Sequence, residues 1–169
     1  MNDGTRALTR SALSAAVCTV LLFLASVAPS GRLALIAAAS LGVIFVSMSV
    51  SWRWALGVYG AASLLSLLLL PQKLPGFLFA AFLGWYPLMK LRVERLPRKE
   101  LRILLKLLVF NLAFVLAFFL SKLFFPGEIT IILPLWVLWL GANAAFLVYD
   151  YAVKVLILLY IRKFAGRVK

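Results

Sequence analysis

Apolar runs of about twenty residues, separated by short breaks rich in proline, glycine and basic side chains, fill this sequence from end to end. That spacing constrains the fold more than any other feature. Lipid offers no hydrogen-bond partner to a bare backbone, so a segment that enters it must satisfy its amides internally, as a helix does. Six runs read as spanning helices, at about 8–28, 33–50, 53–70, 77–90, 101–125 and 131–161. The breaks are Pro29-Ser30-Gly31, Ser51-Trp52-Arg53, Pro71 to Gly76, the charged stretch from Lys90 to Arg102, and Pro126-Gly127-Glu128. Pro87 is expected to kink the fourth and shortest run, and Pro134 lies in the first turn of the sixth. The runs and breaks consume nearly all of the 169 residues. The sequence therefore predicts a single all-α, polytopic membrane domain over residues 1–169, a compact bundle of about six transmembrane helices. Composition agrees: 65% of residues are hydrophobic and mean hydropathy is +1.08, against roughly half apolar in soluble domains.

The first run follows Arg6 and Arg10 and ends in Ala25-Ser26-Val27-Ala28, a pattern that resembles a signal peptide. It is longer than an ordinary signal core, and Pro29 follows the one plausible cleavage point, so a retained helix is expected. The formal net charge of +13 would point to nucleic acid in a soluble protein. Here the basic residues fall between the apolar runs, as cytoplasmic loops require, and no nucleic-acid partner is expected. With the N-terminus inside, 14 of the 18 Lys and Arg residues lie on the inner side. Three, Arg32, Lys73 and Lys122, lie outside, and Lys154 falls within the sixth run. That asymmetry places both termini in the cytoplasm. The segment from Lys90 to Arg102 is read as amphipathic and lying along the membrane surface.

There is no histidine, and Cys18 is the single cysteine. Histidine metal sites, serine–histidine triads and internal disulfides are thereby excluded. With no phosphate loop and no catalytic constellation, neither an enzyme nor a metal or other cofactor is expected. Cys18 lies inside the first run and reads as a small packing residue.

Three groups of residues remain as functional candidates. Small residues recur at four-residue spacing: Ala12 and Ala16; Ala34, Ala38 and Gly42; Gly57 and Ala61. Such stripes let another helix backbone approach closely, either within the bundle or from a separate subunit. A polar set, Asn111, Asn143, Asp150 and Lys154, lies in the fifth and sixth runs. Asp150 and Lys154, four apart, are placed to pair, and an ionisable group within a span is either a packing device or part of a binding patch. Trp52 and Trp54 suit interface anchoring, whereas Trp136 and Trp139, near the outer end of the sixth run, either anchor or stack on a ligand.

The opening Leu8-Thr9-Arg10-Ser11-Ala12-Leu13-Ser14-Ala15-Ala16 resembles the alanine motif on the first helix of the S components of energy-coupling factor (ECF) transporters. These are small substrate-binding membrane subunits of six helices. The resemblance implies a vitamin or similar small-molecule ligand held near the outer surface. It also implies docking through Ala12 and Ala16 to a transmembrane coupling subunit that sits on two ATPase subunits. On that reading Asn111, Trp136, Trp139, Asn143 and Asp150 are the candidate substrate-binding residues. The histidine-rich N-terminus of the metal-binding members is absent, and the outer loops are short. A second family of similar size, the rod-shape-determining proteins of bacterial wall elongation, implies a scaffold instead. Either reading places the chain in a bacterial cell inner membrane.

Overall fold

The computed structural model describes residues 3–94, 96–124 and 134–165. In chain order the elements are α1 (Asp3–Val27), α2 (Arg32–Ser49), α3 (Trp52–Leu69), α4 (Leu74–Leu78), a π-helical turn (Phe79–Leu83), α5 (Tyr86–Val93), α6 (Lys99–Phe124) and α7 (Leu135–Ala165). No strand occurs among the described residues. Six spans are long and apolar enough to cross a membrane, with α4, the π turn and α5 together forming the fourth. The architecture is that of an all-α, multi-pass membrane protein. The chain divides into two units, residues 1–130 and 131–169.

The core of the first unit is built by α1, α2 and α3, which pack on one another. Cys18, Leu22, Ala39, Val43, Val58 and Ala62 are fully or almost fully buried there. The opposite faces carry large apolar side chains outward, among them Leu13, Leu64 and Leu68, as a helix facing lipid requires. Close packing of α1 on α2 depends on Gly42. A Cβ at that position would come within 2.5 Å of the Cys18 sulfur and 3.5 Å of the Ser14 carbonyl oxygen. The Cys18 thiol in turn donates to the Ala39 carbonyl at 3.0 Å, so the buried packing role expected of this cysteine is found. Gly31, at φ 75°, begins α2 in the left-handed region that glycine occupies without steric cost.

The fourth span is interrupted. It enters as α4, where Gly76 lets the chain approach α3 so closely that a Cβ would meet Ser66 Oγ at 2.7 Å. The helix then widens into the π turn, closed by the Gly84 amide donating to the Phe79 carbonyl at 2.8 Å. Two side chains donate to carbonyls of this turn. The Tyr59 hydroxyl from α3 reaches Ala80 O at 2.6 Å, and the Trp85 indole nitrogen reaches Ala81 O at 2.8 Å. Pro87 stands near the start of α5 rather than within a continuous helix. A proline cannot donate its amide and its ring clashes with the carbonyl four residues back, so the interruption falls just before it. The expected kink is thus realised as a break one turn upstream. The span also runs further than 77–90, over 20 residues from Leu74 to Val93.

Several boundaries differ from the sequence reading. α1 begins at Asp3, which places Arg6 and Arg10 within its first turns. α6 begins at Lys99. The stretch from Lys90 to Arg102 is not a surface helix: it comprises the end of α5, a tight turn around Pro97 and the first turn of α6. Phe125, the turn at Pro126-Gly127-Glu128, and the start of the sixth run at Ile131 lie outside the described residues. In the second unit α7 is one continuous helix of 31 residues. Pro134 immediately precedes it and accepts the amides of Val137 and Leu138 at 3.0 and 3.2 Å.

Candidate functional site

The small-residue stripes separate into two kinds. On α1 the residues that turn inward are Ser11, Ser14, Ala15 and Cys18, whereas Ala12 and Ala16 are exposed. On α2, Gly42 is committed to packing against α1. On α3, Ala61 is exposed and a Cβ at Gly57 would meet nothing within 4 Å. Ala12 and Ala16 therefore present an unfilled small-residue surface, whereas on α2 Gly42 serves the internal contact and Ala34 is exposed.

The polar candidates are mostly occupied by their own helices. Asn111, half-buried on α6, donates from its side chain to Leu107 O at 2.9 Å. Asn143 on α7 does the same to Trp139 O at 2.9 Å. Trp136 and Trp139 are 67% and 46% exposed. Asp150 is half-buried and Lys154 exposed. The expected Asp150–Lys154 pair is not found among the ion pairs of the described residues.

A different group of charges comes together in the first unit, where α5 turns into α6. Lys90 is wholly buried, and its Nζ lies 3.7 Å from Oε1 of Glu94, one turn further along. Lys106 of α6 reaches the same oxygen at 3.3 Å and is 12% exposed. Arg102, one turn before Lys106, donates from Nη1 to the Glu94 carbonyl oxygen at 3.4 Å. Its Nε is buried and has no hydrogen-bond partner. Close by in sequence, the Arg92 guanidinium lies 3.9 Å from the centre of the Trp52 ring on α3, a cation–π stack that fixes Trp52 at the start of its helix. Aromatic rings brace the base of the hairpin: Phe82 of the π turn packs on Phe110 of α6 edge-on at 5.3 Å and on Tyr86 at 4.9 Å.

The hairpin explains how this cluster forms. Lys90 and Glu94 are four apart and share a face of α5 and the turn that follows it, and Arg102 and Lys106 share a face of α6. The turn around Pro97 folds the two faces together. The paired four-residue spacing on either side of a proline was the signal in the sequence, but a reading of the segment as uniformly surface-lying conceals it. A buried ammonium is costly unless it is paired, and Glu94 supplies Lys90 with a carboxylate. One carboxylate is nevertheless shared by two ammonium groups, with a guanidinium on the same residue.

No group of three or more His, Cys, Asp or Glu side chains able to hold a metal ion occurs among the described residues. Comparison with known proteins returned no match of any kind: no protein-family model, no curated protein and no solved structure resembles the chain closely enough to place it.

Proposed function

We propose that the chain is the membrane-embedded, substrate-binding subunit of an ECF-type uptake transporter, taking a small molecule such as a vitamin. In this reading Ala12 and Ala16 dock on a transmembrane coupling subunit, whose ATPase partners supply the energy. One observation supports it above the others. The α1 stripe that resembles the family's alanine motif faces outward, with Ala12 and Ala16 exposed, while the opposite face of the same helix packs in the core. Had the stripe served internal packing, it would be covered as Gly42 is.

The test is steric. Ala12→Leu and Ala16→Leu each place a branched side chain where a neighbouring backbone must approach. Co-expressed with a coupling subunit and its two ATPases, each variant should insert and fold as the wild type does, yet be recovered with those partners on the order of tenfold less, equivalent to a loss of about 1.4 kcal/mol. Undiminished recovery of both variants excludes this face as the docking surface. If the unaltered chain binds no coupling subunit and instead co-purifies with wall-elongation enzymes, the scaffold reading replaces the transporter.

A further inference from the structure

We propose that an open cavity between the start of α1 and the turn from α2 to α3 seats the phosphodiester headgroup of an anionic phospholipid. The cavity has a volume of about 520 Å³, and Arg6, Ala7 and Arg10 of α1 face Ser51 and Trp54 of the α3 end across it. Arg6 and Arg10 are four apart, so both guanidinium groups stand on one face of α1. Both residues are exposed, and neither has an ion-pair or hydrogen-bond partner among the described residues. Their charge is not cancelled by composition either. Asp3 is the single acidic residue before Glu94 and offsets one of the two at most, while Glu94 is engaged by Lys90 and Lys106. Each guanidinium can grip two oxygens of a phosphate side by side, and two of them one turn apart can hold the same group from neighbouring edges. On the other wall Ser51 is half-buried and its side chain does not cap α3, which leaves the hydroxyl as a further donor.

A lipid is favoured over a soluble phosphate compound by location. The cavity lies where the first span begins, the second ends at Ser49 and the third begins at Trp52, the level at which headgroup phosphates and basic side chains meet. Trp54, 37% exposed, lines the same cavity, and an indole at that level sets its apolar body against the upper part of the lipid chains. A soluble phosphate compound offers the same anion but no chain to lie beside the ring. The proposal goes beyond the docking reading and does not rest on it, since Ala12 and Ala16 take no part.

The experiment uses the full chain purified in a neutral detergent. Lipid uptake is followed by native mass spectrometry during titration with phosphatidylglycerol and, separately, with phosphatidylcholine. The wild type should take up its first phosphatidylglycerol about tenfold more tightly than phosphatidylcholine. Arg6→Gln and Arg10→Gln, both at exposed positions, should each remove most of that preference. Ala7→Phe leaves both guanidinium groups in place, fills the cavity with a ring, and should weaken phosphatidylglycerol uptake to a similar degree. Arg53→Gln removes an exposed basic residue at the same end of the bundle but outside the cavity lining, and should bind as the wild type does. A thermal-unfolding midpoint in detergent alone reports whether each variant folds; if Ala7→Phe does not, the two arginine variants decide. The proposal is overturned if phosphatidylglycerol is not preferred, or if Arg53→Gln loses as much as Arg10→Gln, because the attraction is then diffuse. It is equally overturned if Ala7→Phe folds and binds undiminished. A midpoint raised by inorganic phosphate at constant ionic strength, with no preference for phosphatidylglycerol, assigns the cavity to a soluble anion and also overturns the lipid.

Discussion

The Tyr59 hydroxyl is a single atom on which an irregular helix leans. A π turn moves carbonyls out of the regular ladder, and in a membrane no water stands ready to receive them. Tyr59 donates to one of these, Ala80 O, while its ring packs beside Phe79 at 6.1 Å. Tyr59→Phe keeps the ring and removes the donor. It should destabilise the protein by about 1 kcal/mol, in line with hydrogen bonds between membrane helices, and a denaturation curve in mixed micelles measures it. Little of this was legible beforehand. Tyr59 reads as one aromatic among many, because its value depends on a partner 21 residues away in a turn that has no sequence signature of its own. Cys18 was easier: a lone cysteine deep in an apolar run has few alternatives to packing. Lys90 was missed for the opposite reason. It is followed by a run of charges, and local composition makes the first of them look solvated. The tertiary fold buries it, with α5 packed on both α2 and α6.

Among the elements, α1 has two faces of unequal tolerance, and so does its partner α2. Gly42→Leu drives a side chain into Cys18 and the backbone at Ser14. It should cost about 1–3 kcal/mol, the usual penalty of overpacking. Gly57→Leu, on α3, meets open space and should change stability by less than about 0.5 kcal/mol. The same denaturation assay separates the two. The count and approximate placement of the spans were legible because hydrophobic length is a direct physical requirement of the bilayer. The ends were less so. Helices such as α1 continue beyond the apolar run into the headgroup layer, where polar side chains are no obstacle to helical backbone, and α1 accordingly starts at Asp3 rather than near residue 8. The Pro87 break was anticipated in kind, since a proline inside a helix always frees a carbonyl. The close packing at Gly84, where a Cβ would come within 2.7 Å of the Tyr59 ring and 2.8 Å of Phe79, has no counterpart in the local sequence pattern.

For the molecule as a whole, orientation is the property most open to direct measurement. On the positive-inside pattern the turn around Arg98 is expected in the cytoplasm and Gln72, between the third and fourth spans, outside. A cysteine introduced at Gln72 should react with an impermeant thiol reagent on intact cells, and one at Arg98 should react only after lysis. Cys18, wholly buried, stays silent as background. The reverse labelling pattern overturns the orientation. The fourth span also has a consequence for how the protein is made. It is less apolar than α6, with a mean hydropathy of 1.3 against 2.6, and more of it is buried. It carries Lys90 and a turn whose carbonyl at Ala80 is met by Tyr59 of α3. A nascent segment of this kind partitions poorly into lipid by itself. It is expected to linger at the translocon beside α3, which supplies Tyr59, until Glu94 has emerged to pair with Lys90, so the ribosome must deliver at least the four residues after Lys90 before the fourth span can leave.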